Sequence, residues 1–335
     1  MMEAVFVLVA LLFSSLVVLL AVLLLSALAC IFGASFATVF RCGLWLLLLP
    51  PLCILYGWLI GRERCVVREA GIASPEIPAA FDGYRIVQIS DLHLRSFRNR
   101  PKSLARMVAE INALHPDLVV FTGDLVTSRS DEVAPLADIL TNISAADGVY
   151  SVMGNHDYCP YNDWESVAEQ AAAIAEVRRW HSRLGWTLLD NANVTLRRGA
   201  DMVSLIGTEN ISAMRQFVSR GDLGKAMEGA EADFKILLTH DPTFWRSGVL
   251  GATDIGLTLS GHTHNAQLKL LGWEPSRLIF KENSGLYCEV TESGRQYLYV
   301  NAGLGETMFP ARIGVPAEIT LITLRSGSPQ VAEND

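Results

Sequence analysis

Cysteine is scarce and unpatterned: of six residues, Cys30, Cys42 and Cys53 fall in apolar runs, and Cys65, Cys159 and Cys288 are scattered without CxxC spacing. That excludes a disulfide framework and a cysteine-built structural zinc site. Positive charge is also short, with 27 Lys and Arg against 35 Asp and Glu and a net charge of −8. A broad basic surface for nucleic acid is thereby excluded, although metal cations can still dominate the field of a site that handles phosphates. Low-complexity tracts and internal repeats are absent, which argues against a repeat array.

Charge itself is missing from residues 4–40, and after Arg41 a second uncharged run covers 42–61. Roughly 20 apolar residues suffice to cross a bilayer. Two transmembrane helices are expected, about 4–32 and 42–61, forming a membrane anchor of residues 1–65. A cleavable signal is disfavoured because there is no basic start, Glu3 is acidic, and a second run follows. Pro50 and Pro51 should break or kink the second helix, which membranes tolerate when neighbours satisfy the freed carbonyls. Arg62, Arg64 and Arg68 follow the second run, whereas only Arg41 separates the two. The positive-inside bias then predicts an integral protein of the inner (cytoplasmic) membrane with its soluble domain in the cytoplasm.

What the chain does contain is an ordered series of metal-ligand residue types: Asp91 and His93, Asp124 after Gly123, Asn155-His156-Asp157 after Gly154, His240, then His262 and His264. Five of the seven histidines fall in these motifs, and nearly every motif follows an apolar run. Each motif alone is weak: a D-x-H is common, Gly123-Asp124 could be a turn, and a lone histidine is usually a satisfied structural residue. Their order and placement together point to a two-metal site.

Apolar, β-branched runs at 84–90 and 117–122 flank helical spacing at Ala105, Val108, Ile111 and Leu114, which predicts a βαβ unit. A second helix is expected over about 132–143, a strand at 148–153, a long helix at 164–184, and strands at 187–189, 194–197, 202–206, 234–239, 254–260, 297–301 and 318–324. Ligands in such sheets bind beyond the carboxyl ends of the strands, where the motifs lie. Two mostly β layers flanked by helices accommodate the pattern over a domain of residues 66–325, with 326–335 a frayed tail.

The set D-x-H, G-D, G-N-H-D, H, G-H-x-H resembles the calcineurin-like metallophosphoesterase superfamily over residues 74–325. Residues 90–94 and the stretch from Gly303-Leu304-Gly305 through Pro310, Arg312 and 316–320 resemble its membrane-associated bacterial branch, including UDP-2,3-diacylglucosamine pyrophosphatases of lipid A synthesis. The resemblance implies an α/β fold, a four-layer α/β/β/α metallophosphoesterase sandwich, and two divalent metal ions, with manganese favoured and iron or zinc as alternatives. Two cations about 3.5–4 Å apart activate a water and clamp phosphate oxygens during in-line attack. Such a pair needs a bridging carboxylate, and Asp124 is the natural candidate. Asp91, His93 and His264 would complete one metal, and Asn155, His240 and His262 the other. In the family pattern His156 sits beside substrate, stabilising charge or protonating the leaving oxygen, with Asp157 orienting its ring.

Other residues carry less. His115 is expected at a helix end and His181 on a helix surface, neither catalytic. Arg95 and Arg312 could each contact a substrate phosphate or form a structural ion pair. Asn265-Ala266 stand where related sequences have two glycines, which puts loop shape in question. Aromatic residues in 270–296 and 158–164 could form an apolar lip for acyl chains or simply cover the core. The expected partners are the membrane and a phosphate-bearing lipid or nucleotide-lipid substrate, with no nucleic acid and no protein partner to infer. The favoured activity is hydrolysis of UDP-2,3-diacylglucosamine to UMP and lipid monophosphate. A phosphodiesterase of other lipids or nucleotides, and a non-catalytic membrane scaffold, are the alternatives.

Overall fold

The computed structural model describes residues 2–327, so residues 328–335 of the expected tail lie outside the described residues. Helix α1 (Met2–Ile31) is followed by α2 (Phe36–Gly43), a 3₁₀ segment Leu44–Leu48 and α3 (Leu49–Leu59). Two stretches, Ala4–Ile31 and Phe36–Glu63, are long and apolar enough to cross a membrane. The second starts earlier than expected and takes Arg41 into α2. Pro50 and Pro51 do not break it: they fall in the first turn of α3, whose N–H groups need no helical partner, and the tighter 3₁₀ turn absorbs the junction.

Strand β1 (Cys65–Ser74) begins almost at once after a short turn, Gly61–Glu63. There follow β2 (Arg85–Ile89), α4 (Pro101–Ala113), β3 (Leu118–Phe121), α5 (Ala137–Leu140), β4 (Val149–Ser151), α6 (Val167–Arg183) and β5 (Thr187–Leu188). The second half supplies β6 (Ala192–Arg198), β7 (Asp201–Gly207), α7 (Leu223–Met227), β8 (Phe234–Leu238), β9 (Leu257–Ser260), β10 (Gly285–Thr291), β11 (Gly294–Val300) and β12 (Ala317–Ser326). They form two six-stranded sheets, ordered β1-β12-β2-β3-β4-β5 and β10-β11-β9-β8-β7-β6. Strands β2 to β5 run parallel, as do β7, β8, β9 and β11.

The layers follow from which face each strand buries. Ile86, Val120, Leu205, Ile236, Leu259 and Ile322 pack between the sheets. Val87, Ile89, Val119 and Phe121 point the other way, onto Leu104, Met107 and Ile111 of α4 and Ile174 and Val177 of α6. On the far side Ile206, Leu237 and Val300 meet Ala226 of α7 and Trp245. Each such large apolar side chain contributes roughly 1.5–3 kcal/mol by leaving water. The result is a four-layer α/β/β/α sandwich.

Two sequence expectations fail on local chemistry. The helix expected over 132–143 is instead three short turns, Ser130–Glu132, Ala134–Leu136 and Ala137–Leu140, because Pro135 lacks the N–H a continuous helix needs. The segment after the last histidine motif, read as loop, contains β10, an edge strand paired only with β11.

His181 is not a surface residue: it is fully buried, its Nδ1 2.8 Å from Ser151 Oγ of β4. Burial, with the Arg178 charge adding to it, lowers its pKa to about 3. In the unfolded chain it titrates near about 6.5, so unfolding takes up a proton in acid. The stability this neutral imidazole contributes is complete above about pH 6.5 and is lost as pH falls from there towards 3, by up to about 1.4 kcal/mol per unit. Chemical denaturation in detergent should show wild type losing about 2 kcal/mol more than His181→Gln between pH 7 and 5; equal slopes would mean that the group titrates normally.

The membrane helices dock on the sandwich through small residues. At Gly61 a Cβ would lie 1.9 Å from the Arg312 carbonyl oxygen, so no other residue allows the turn to approach the 311–313 loop so closely. Arg312 N donates to the Gly57 carbonyl at 3.2 Å across the same contact.

Candidate metal centre

Every motif sits where a strand gives way to a loop: Asp91 and His93 after β2, Asp124 after β3, Asn155 and His156 after β4, His240 after β8, His262 and His264 after β9. The backbone is left-handed at Asp91, His93, Asp124, His262 and His264, with φ between 40° and 72°. Such positions cost of order 1–3 kcal/mol each and gather where a site needs an unusual approach. Gly154 permits one such approach: a Cβ there would lie 2.2 Å from Asp124 Oδ1.

The structure brings the expected metal ligands into two adjoining groups, and His156 joins His93 and Asp124 in a third that overlaps both. His264 Nε2 lies 3.2 Å from Asp91 Oδ1 and 3.1 Å from His93 Nε2. Asp124, His240 and His262 form the second group, all three offering ligand atoms within 4.8 Å of one another. Asp124 Oδ2 stands between the groups, 3.5 Å from His93 Nε2 and 3.1 Å from His240 Nε2. Its other oxygen is taken by the His156 N–H, which donates at 2.9 Å. Burial acts to raise the Asp124 pKa, but the facing His240 and His156 outweigh it and hold the carboxyl well below the usual range.

The donors fit a pair of cations. Asn155 Oδ1 and His240 Nε2 are buried with no hydrogen-bond partner, an arrangement that costs about 1–3 kcal/mol per atom unless something else satisfies it. His240 Nδ1 donates to the Thr122 carbonyl at 2.7 Å, so its Nε2 lone pair is the one left facing the site. Imidazole and oxygen donors together suit borderline transition metals.

His156 and Asp157 behave differently from the sequence expectation. The His156 ring is oriented by the Thr127 carbonyl, 2.6 Å from Nδ1; a carbonyl only accepts, so Nδ1 carries hydrogen and Nε2 is the reactive atom. No hydrogen bond joins the Asp157 carboxylate to that ring. It is fully buried and takes N–H bonds from Asp124 and Gly154 at 2.9 Å and from Val126 at 3.1 Å, tying the second motif to the third. Burial, then the nearby Asp124 charge, pushes its pKa up to about 7.

A cavity of about 520 Å³ opens over the centre, its wall including Arg95, His156, Tyr161, Phe217 and, from the first membrane helix, Phe6. Phe217 packs edge-on against the His262 ring at 4.6 Å and lies in irregular backbone, where no periodicity marks it. Tyr161 OH accepts from Asn155 Nδ2 at 3.3 Å. Arg312 is no substrate ligand: it is fully buried and donates to the carbonyls of Ala302, Gly303, Gly305 and Pro316. His115 is exposed at the end of α4.

Asn265 and Ala266 keep the left-handed backbone that glycines would favour, at φ 46° and 52°. What holds them is a buried polar cluster: Asn265 donates to Glu274 at 3.2 Å and accepts from Ser276 and Asn283 at 2.5 and 2.9 Å. This anchors the following hairpin, whose Leu271, Trp273, Leu278 and Ile279 stand exposed and cover no core.

The profile of calcineurin-like phosphoesterases matches residues 84–266. The chain is 32% identical over 268 residues to metallophosphoesterase YkuE of Bacillus subtilis, covering 77% of this chain and 85% of that one. It is also 32% identical to a "transmembrane protein with metallophosphoesterase domain" from Danio rerio, covering 85% of this chain and 63% of that protein. The protein of the same name from Bos taurus is 32% identical, with 81% of this chain and 59% of that protein covered. The chain thus spans about three fifths of the two vertebrate proteins. Motif order, fold and profile agree: this chain belongs to the calcineurin-like phosphoesterase family.

Proposed function

We propose that the protein is a membrane-associated, metal-dependent phosphoesterase that hydrolyses a phosphodiester or pyrophosphate of a lipid-linked substrate. The observation that carries the reading is Asp124 Oδ2 standing between His93 and His240 at 3.5 and 3.1 Å, with Asp91, Asn155, His262 and His264 around it. Asp91, His93 and His264 would hold one divalent ion, Asn155, His240 and His262 a second, and Asp124 both; manganese is favoured over iron or zinc. Bound ions of this kind supply Lewis acidity and a deprotonated water at neutral pH.

The chain's own residues do the rest. His156, held as a donor at Nδ1 by the Thr127 carbonyl, presents Nε2 to the cavity; with both ring nitrogens protonated, its Nε2–H would stabilise developing charge and pass its proton to the leaving oxygen. Asp157 holds the backbone that aims Asp124 and His156.

A lipid substrate is supported by Phe6 of the first apolar helix in the cavity wall and by the exposed apolar hairpin, tied beside the membrane helices through Lys269 N to Ile313 O at 2.7 Å. The specific candidate is UDP-2,3-diacylglucosamine, split to UMP and lipid monophosphate. The arginine asymmetry about the second apolar run supports a cytoplasmic-facing domain in the inner membrane. In sealed vesicles of known orientation, Mn²⁺-loaded protein should release UMP from this substrate and expose its domain to protease from the cytoplasmic side only. Hydrolysis of bis(p-nitrophenyl) phosphate without UMP release would move the substrate to another lipid or nucleotide ester.

A further inference from the structure

Three cavities lie in series from the metal centre to the membrane helices. The one over the centre shares Arg95, Thr127, Thr307 and Met308 with a second, of about 370 Å³. The second has Arg62, Arg95, Arg98 and Arg100 in its wall and a single acid, Glu306. Trp58, Phe309 and Pro310 are common to it and a third, of about 310 Å³, whose remaining wall is apolar and drawn largely from the membrane helices, including Val7, Leu11, Ile54 and Leu55. Polarity therefore falls in steps from the candidate metal ligands to arginines to hydrocarbon.

The arginines are not equally occupied. Arg100 is matched by Glu63 at 3.1 Å and Glu306 at 2.8 Å, and Glu63 is further shared with Arg106. Arg62 and Arg98 have no ion pair among the described residues. Arg62 rests on the Trp58 ring at 5.1 Å, and its Nε is buried without a hydrogen-bond partner. Two guanidinium groups outside any close ion pair, Arg62 feeling Glu306 and Glu63 only at longer range, beside a phosphate-handling centre suit a second anion, which such forks bind with paired hydrogen bonds.

Resting on the phosphoesterase reading, the geometry points to a substrate that is an amphiphile with two anionic groups. Its scissile phosphate lies at the metal centre, its second phosphate between Arg62 and Arg98, and its acyl chain in the cleft between α1, α3 and the 309–311 loop. On this account the membrane helices form one wall of the substrate site and are not only a tether.

The test uses the full chain in detergent micelles and native mass spectrometry with dioleoyl phosphatidic acid, dioleoyl phosphatidylcholine or inorganic phosphate. Phosphatidic acid should be retained at least about tenfold better than phosphatidylcholine, and the Arg62→Gln/Arg98→Gln variant should lose about that factor, as expected for a charge-assisted contact. Filling the third cavity with Ile54→Trp should weaken phosphatidic acid and leave inorganic phosphate unchanged. If the double variant does not fold, Arg98→Glu at an exposed position repeats the measurement. Equal retention of the two lipids, selectivity that survives the arginine changes, or phosphate held as well as phosphatidic acid would each overturn the assignment. Metal-dependent hydrolysis of bis(p-nitrophenyl) phosphate is followed in parallel. Its absence with lipid selectivity intact removes the phosphoesterase reading and keeps this site; its presence with arginine-insensitive lipid retention does the reverse.

Discussion

Asp124→Asn should lower turnover of any phosphoester substrate by at least about 10³-fold while the protein still folds. Two dications at the spacing of such centres repel by on the order of 15–20 kcal/mol even at an effective dielectric of about 20, so a neutral amide between them cannot hold the pair. Asn keeps the volume, and an amide oxygen can still accept from the His156 N–H that Asp124 Oδ1 binds at 2.9 Å. The loss therefore belongs to charge at Oδ2 and not to collapse of the loop. Elemental analysis of the purified variant should find fewer than two metals per chain, and its unfolding temperature without metal should stay within a few degrees of wild type. A variant that keeps both its metals and its rate would leave the bridging role of Asp124 without support.

Arg312→Met should be the most damaging change away from the metal centre, destabilising by about 3–5 kcal/mol and lowering Tm by roughly 10 °C. The guanidinium serves four carbonyls in a fully buried site, and Met fills the space while donating to none of them, although the Gly303 oxygen keeps the Glu318 N–H at 3.1 Å. Arg312→Lys should not restore stability, because one ammonium cannot span the set. Activity would fall as well, since the loop it braces backs the first motif: Gly305 N donates to the Asp91 carbonyl at 2.8 Å. A variant with unchanged Tm and a raised KM would instead return Arg312 to a substrate-binding role.

The strands that carry the centre were legible because their burial is two-sided. Residues 86–89 and 118–121 are buried throughout, so they read as apolar runs, interrupted only by Gln88, and the polar residues ending each run stand out. The edge strands β1 and β10 alternate with exposed positions and find their partners only in three dimensions, β1 pairing with β12 some 250 residues away. No local pattern announces them. Ligand residue types could be listed from the motifs, but the partners that orient them are mostly backbone carbonyls, those of Thr122 and Thr127, which every residue possesses. For the same reason the sequence points Asp157 at a ring whereas it serves three N–H groups, and leaves Arg312 open between a substrate phosphate and a structural ion pair whereas it serves four carbonyls. His181 was placed on a surface because nearby arginines suggested one, whereas its side of α6 faces β4.

The parallel pairing of β1 with β12 leaves no slack between span and sheet, since only Arg64 separates β1, which starts at Cys65, from the Gly61–Glu63 turn. The catalytic mouth keeps a set height and tilt above the bilayer instead of sampling a tethered volume. If the substrate is lipid-linked as proposed, it would arrive by lateral diffusion within one leaflet, and the rate would follow its mole fraction in the surface, whatever the bulk amount.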